Sequence, residues 1–141
     1  MKINNVVVIG SGTMGSGIAA QLCNANIPVT LLDLKTEISQ KAKERIEKSR
    51  PPLLIDKSKI DGIKVGNIND DFNIVSEADW IVEAVVERID IKHDIYDKIF
   101  KQRKKGSIVS SNTSSIPISV LSEKLTEDDK KDFCITHFFN P

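Results

Sequence analysis

Gly10, Gly12 and Gly15 stand in the pattern G-x-G-x-x-G, and each position answers a different need of a phosphate-binding turn. The first glycine permits the tight turn, the second lets a pyrophosphate approach the backbone, and the third allows a helix to pack closely on a strand. Ser11, Thr13 and Met14 fill the turn, and the N–H groups of a helix starting near Thr13 would face the phosphates. Asp33 follows Gly10 by 23 positions, close to the ~20 residues at which an acidic side chain receives the adenosine ribose. Its carboxylate can accept from both ribose hydroxyls and would repel a 2′-phosphate, so the expected cofactor is NAD, with NADP second. Lys35 is near enough in sequence to soften that repulsion, and capping of the following helix is the competing role for Asp33.

Three further clusters end apolar runs. Glu83-Ala84-Val85-Val86-Glu87 closes the run that starts at Trp80. Glu87 and Lys92 suit a pair bracketing the nicotinamide ribose, or two charges capping a helix start at the surface. Ser110-Ser111-Asn112-Thr113-Ser114-Ser115 offers short hydroxyls that reach a substrate oxygen, and equally describes a hydroxyl-rich turn. His137 ends the last run, before Phe138-Phe139-Asn140-Pro141. Its imidazole can exchange protons near neutral pH, with neighbouring aromatic rings to limit its exposure. His93 falls on a helix face read as solvent-facing and receives no role.

These clusters need a scaffold that brings strand ends together. Val6-Val7-Val8-Ile9 is a β-branched run stopped by glycine, the pattern of a strand buried on both faces of a parallel sheet. A helix over Thr13–Ala25 follows, then a strand over Val29–Leu32 ending at Asp33, and a second helix marked by Ile38, Ala42 and Ile46 and closed by Pro51-Pro52. Leu53–Gly62 is weakly patterned, with a short helical turn near Ser58. Strands are expected over Ile63–Ile68, Trp80–Ala84, Ser107–Ser110 and Phe133–Thr136. Between them, Ile91, Ile95 and Ile99 define a helix that Asp90 helps to start, Pro117–Leu125 gives a short helix, and Glu123–Asp132 reads as a solvated connector. This alternation predicts an α/β fold, a Rossmann-type doubly wound, mainly parallel sheet with helices on both faces, in one domain over residues 1–141.

Composition narrows the function. Twenty basic and twenty acidic side chains leave a formal net charge of zero, so no large positive field draws nucleic acid or an anionic membrane. The apolar run near the N-terminus stops at Gly10, too short for a signal peptide or a membrane span, and a cytoplasmic protein is expected. Cys23 and Cys134 are too few and too far apart for a disulfide framework or metal site, and are read as buried, reduced thiols.

Four segments in order carry a resemblance: Val8–Ala19, Val82–Glu87, Ser111–Ser115 and His137–Pro141. Together they resemble the L-3-hydroxyacyl-CoA dehydrogenases, over essentially the whole chain. The resemblance implies that Glu87, Lys92, Ser114 and Asn140 join Gly10, Ser11, Gly12, Thr13, Met14, Gly15 and Asp33 as NAD contacts. It further implies that Ser114 hydrogen-bonds the substrate oxygen, and that His137 is the catalytic base in the reversible oxidation of a 3-hydroxyacyl-CoA to a 3-ketoacyl-CoA in fatty-acid β-oxidation.

Departures temper this expectation. In the family the histidine is oriented by a downstream glutamate, and a C-terminal helical domain supplies much of the substrate pocket and commonly the dimer interface; this sequence stops at Pro141. The chain alone is therefore expected to bind NAD and turn over weakly or not at all, unless a separate chain supplies the C-terminal part. Lys48–Gly66 is shorter than the family's helical hairpin that holds CoA, so Lys48, Lys57 and Lys59 receive no CoA role. Competing readings are a non-catalytic NAD-binding module and another Rossmann hydroxyacid dehydrogenase; the His-Phe-Phe-Asn-Pro ending argues against the second.

Overall fold

The computed structural model describes residues Met1–Phe139. Its elements run β1 (Val6–Ile9), α1 (Thr13–Asn24), β2 (Val29–Asp33), α2 (Thr36–Lys48), β3 (Ile63–Asn67), β4 (Trp80–Glu83), α3 (Ile89–Gln102), β5 (Ile108–Ser111), α4 (Ile118–Leu121), α5 (Glu127–Lys130) and β6 (Phe133–Ile135). The six strands form one sheet in the order β3-β2-β1-β4-β5-β6, with every neighbouring pair parallel. That order reverses direction between β1 and β4, where a doubly wound sheet opens a crevice at the carboxyl ends of its strands.

The β-branched run of β1 explains its central place. All four of its residues are buried. Val6 and Val8 pack with Ile18, Ala19 and Leu22 of α1 and Ala42 and Ile46 of α2, whereas Val7 and Ile9 face Ile95, Tyr96 and Ile99 of α3 together with Leu121 and Phe133. A strand covered on both faces must be apolar at consecutive positions, because side chains alternate between faces.

Register then aligns the functional edge. Ile9 pairs with Leu32 on one side and Glu83 on the other, Glu83 pairs with Ser111, and Ser111 with Ile135. The glycine turn, Asp33, Glu83–Glu87, Asn112–Ser115 and His137 thus leave the sheet from the same edge.

Several details differ from the sequence reading. β5 is shifted one residue to Ile108–Ser111, and β6 ends at Ile135 although the Thr136 amide still donates to the Ser111 carbonyl at 3.0 Å. The supposed connector before β6 contains α5, and its Asp129 and Asp132 both pair with Arg103, at 3.2 and 3.0 Å. A 3-10 segment, Phe72–Glu77, fills the stretch between β3 and β4 with Phe72 and Val75 buried; the expected turn near Ser58 is a 3-10 segment over Lys57–Gly62. Cys134 is half-buried rather than buried, while Cys23 is buried and both thiols are free. His93 is also half-buried, with Nε2 2.9 Å from the Val120 carbonyl oxygen: the short α4 covers a face that an isolated α3 would leave to water.

Candidate functional site

The glycine turn is shaped by close backbone approach at two of its three glycines. Gly10 has φ +105°, and a Cβ there would lie 2.3 Å from the Ala84 carbonyl oxygen; a Cβ at Gly15 would lie 1.8 Å from the Gly10 carbonyl oxygen. Both positions are closed to any side chain. At Gly12 a Cβ would meet nothing within 4 Å, so this glycine keeps open the space in front of α1. Gly12 is also the N-cap of α1, with no side chain satisfying the first amides, which leaves that end suited to an anion.

Asp33 points into the turn. Its Oδ2 accepts from the Ser11 amide at 2.8 Å and from the Ser11 hydroxyl, and its Oδ1 accepts from the Leu34 amide at 2.7 Å. It does not cap the following helix, whose N-cap is Lys35. A cavity of about 600 Å³ opens here, lined by Gly10–Met14, Asp33, Leu34, Ile38, Arg45, Ile68, Ala84–Val86, Ile91 and Ile95. Leu34, Ile38 and Val86 in its wall are exposed apolar side chains, the surface a flat base would cover. Open space at Gly12, an uncapped helix start, a carboxylate at the end of β2 and an apolar shelf together fit the adenosine diphosphate half of a dinucleotide.

Across the sheet reversal lies a second cavity of about 330 Å³, lined by Met14, Glu83, Ala84, Val85, Glu87, Lys92, Asn112, Ser114, His137, Phe138 and Phe139. It shares Met14, Ala84 and Val85 with the first. The two therefore make one cleft that crosses from β2 to β6, and the second brings together Glu87, Lys92, Ser114 and His137 from separate segments of the chain. Asn140 lies outside the described residues.

A buried ion cluster underlies this second cavity. Lys92 is 1% exposed and Glu83 0%, which removes the surface-capping reading of Lys92. The Lys92 ammonium donates to Glu83 Oε2 at 2.6 Å and lies 3.0 Å from Glu87 Oε1. Glu83 also accepts from the Ser111 hydroxyl at 2.7 Å, the Val85 amide at 3.0 Å and the Tyr96 hydroxyl. Such saturation is what a buried carboxylate requires, since an unpaired one is strongly penalised. Burial and the neighbouring Glu83 charge push the Tyr96 phenol far above its usual range, so it stays a donor.

Glu87 carries this cluster to the surface. It accepts from Thr113 Oγ1 at 2.7 Å and from Ser115 Oγ at 3.0 Å. Burial alone would raise its carboxyl, but the bonds from Thr113, Lys92 and Ser115 prevail and hold it below the usual value. The Ser111 hydroxyl, which donates to Glu83, accepts from the Thr113 amide at 3.2 Å. The loop bearing Ser114 is thereby pinned on both sides.

His137 sits two residues beyond β6 and is exposed. Its ring meets Phe139 edge-on at 4.5 Å between centroids, but Phe139 is itself 81% exposed, so the aromatic rings do not shield the imidazole as expected. The segment is fixed instead by Asn112, whose Oδ1 accepts from the Phe138 amide at 2.9 Å, and by Phe138 packing on the core. Sequence reasoning assigned no role to Glu83, Asn112, Tyr96 or Arg45. A glutamate closing an otherwise apolar strand was the available signal for Glu83, and membership of the hydroxyl-rich cluster was the signal for Asn112; nothing local marked Tyr96 or Arg45.

An all-parallel sheet in this order, with a glycine turn and a crossing cleft at the reversal, defines a dinucleotide-binding Rossmann domain. Comparison with known proteins narrows the class. The family model described as 3-hydroxyacyl-CoA dehydrogenase, NAD binding domain, matches residues 5–141, and the chain belongs to that family as its NAD-binding domain. It is 43% identical to a probable 3-hydroxyacyl-CoA dehydrogenase of Deinococcus radiodurans, over 100% of this chain and 43% of that protein. It is 31% identical to human mitochondrial hydroxyacyl-coenzyme A dehydrogenase, over 99% of this chain and 47% of that one. Among solved structures, 3-hydroxybutyryl-CoA dehydrogenase from Escherichia coli superposes with TM-score 0.86 at 26% identity, over 100% of this chain and 30% of that chain. The chain thus spans less than half the length of these relatives. Among the described residues, no helix is long and apolar enough to cross a membrane.

Proposed function

We propose that this domain binds NAD in the cleft and forms the cofactor half of an enzyme that interconverts L-3-hydroxyacyl-CoA and 3-ketoacyl-CoA in fatty-acid β-oxidation, in the cytoplasm. The observation that carries the reading is the meeting of Glu87, Lys92, Ser114 and His137 on one cavity that shares Met14, Ala84 and Val85 with the glycine-turn cavity. Gly10, Ser11, Gly12, Thr13, Met14 and Gly15 receive the pyrophosphate. Asp33 takes the adenosine ribose by exchanging its bonds to Ser11 for bonds to the ribose hydroxyls. Glu87 and Lys92 hold the nicotinamide ribose, with Ser114 and Asn140 contacting the cofactor beyond it. When bound, NAD supplies the hydride acceptor.

His137 accepts the hydroxyl proton of the 3-hydroxyacyl group, and Ser114 hydrogen-bonds the same oxygen so that it lies against the imidazole. Exposure of both side chains, next to an exposed Phe139, supports a substrate pocket whose other wall comes from further protein, in the same chain or a separate one. The greater length of the relatives supports the same division. Calorimetric titration of NAD into the 141-residue chain tests the first step, with saturable one-to-one binding expected and its absence refuting the reading. Oxidation of NADH with acetoacetyl-CoA tests the second. Weak turnover that His137→Ala abolishes is the expected result, and robust turnover that survives His137→Ala would overturn the role of the imidazole.

A further inference from the structure

We propose that Arg45 is a specificity-determining residue of the cleft, anchoring the glycine turn through Ser11 and supplying the positive charge against which Asp33 selects at the adenosine ribose. The inference rests on the NAD-binding reading above. Arg45 lies in the last turn of α2, where a cation is favoured by the helix dipole. That preference explains a charge at this position but not its direction. The guanidinium turns toward the cleft, and Nη2 donates to the Ser11 carbonyl oxygen at 2.9 Å.

Ser11 consequently joins opposite charges. Its amide and hydroxyl donate to Asp33, and its carbonyl accepts from Arg45. Asp33, Leu34, Ile38 and Arg45 line the same cavity, and Arg45 forms no ion pair among the described residues. Its remaining N–H donors have no acceptor among the described residues, so a cation with free donors stands at the ribose end of the cleft. The other charged groups around it are Lys41, Glu44 and Lys48 on its own helix, which border a separate depression with it. Lys35 is exposed and does not line the cleft.

The carboxylate and the guanidinium make opposing demands. Asp33 accepts ribose hydroxyls and repels a 2′-phosphate, while Arg45 attracts an anion and matches phosphate geometry through its planar donors. With Asp33 present, repulsion prevails and the unphosphorylated ribose is chosen. Removal of that one carboxylate leaves Arg45 as the cation on the cleft wall, so the site should turn toward the 2′-phosphorylated dinucleotide.

Calorimetric titration of NAD and NADP into wild type, Asp33→Ser, Arg45→Gln and the double variant of the 141-residue chain tests this. Glutamine retains an N–H donor for the Ser11 carbonyl and removes the charge, and the exposed position keeps the variant folded, as far-UV circular dichroism would register. Asp33→Ser is expected to gain NADP affinity by about tenfold. The double variant is expected to lose that gain, and Arg45→Gln alone to bind NADP no better than wild type. A gain that persists in the double variant, or no gain in Asp33→Ser, overturns the inference while leaving NAD binding by wild type intact. Failure of wild type to bind NAD would instead refute the cofactor reading, and this inference with it.

Discussion

The two halves of the cleft are built on different principles. The glycine-turn half uses a local stretch, from Gly10 to Asp33, and works by leaving things out: side chains are absent at Gly10, Gly12 and Gly15, and no side chain caps α1. The second half draws on Glu83–Lys92, Ser111–Ser115 and His137, and works by charge: a buried lysine held between two glutamates. A pyrophosphate needs bare backbone, which glycine provides, and free amides, which the uncapped start of α1 provides. Positioning a reacting group needs long side chains held still, and in a dry interior that demands a saturated polar network.

Breaking the second half should have the larger effect. Lys92→Met leaves Glu83 buried without its counter-charge and is expected to lower stability by roughly 3–5 kcal/mol in urea unfolding. The double variant Glu83→Gln/Lys92→Met should recover part of that loss, since neither residual group is then an unpaired charge. A single-variant loss below about 1 kcal/mol would mean that the cluster does not carry the region.

The first half should separate its glycines. Gly15→Ala places a Cβ on the Gly10 carbonyl oxygen and is expected to lose about 3 kcal/mol in the same measurement. Gly12→Ala meets no protein atom and should lose about 1 kcal/mol or less, while NAD affinity by calorimetry should fall at least about tenfold if the methyl enters the space proposed for the pyrophosphate. Equal effects of the two substitutions on stability would contradict the division of roles within the turn.

The smallest effect concerns the opposite edge of the sheet, where the halves are tied together. Asp79 Oδ2 accepts from the Asn4 and Asn5 amides at 2.7 and 3.1 Å, and its Oδ1 lies 2.5 Å from the Lys104 ammonium. Lys104 first, and then the two amides, hold its carboxyl down from 3.8 to about 2. A depressed folded-state value means that its contribution is complete above about pH 4 and fades as the pH falls toward about 2. Asp79→Asn should flatten the stability profile in that window, as read by chemical denaturation at successive pH values; an unchanged profile would remove Asp79 as the tie.

The same contrast governs what could be read in advance. The glycine turn, the β-branched β1, Asp33 and the α/β alternation were legible because each is set by neighbours in the chain, through backbone freedom, strand burial or helical period. Ser114 and His137 were legible as candidates because short hydroxyls and an imidazole end apolar runs. Parallel strands carry both to one edge of the sheet, so their meeting was legible as well, although 22 positions of intervening chain, from residue 115 to residue 136, separate them.

Burial was the principal thing hidden. Lys92 read as either a ribose contact or a surface charge and is among the most enclosed side chains, while His137 looked shielded and is exposed. A sequence states which groups carry charge; whether water reaches them depends on which strands and helices pack across them. By itself this sequence determined a parallel doubly wound sheet, a phosphate turn and a carboxylate at the end of β2, because those follow from local sterics and periodicity. Only the tertiary structure decided that Glu83 would accept Lys92, Tyr96 and Ser111 together, and that Arg45 would reach Ser11. The Tyr96, Ser111 and Arg45 contacts join residues 13, 28 and 34 positions apart, and the packing of α2 on β2 and β3 and of α3 on β4 and β5 brings them within hydrogen-bonding distance.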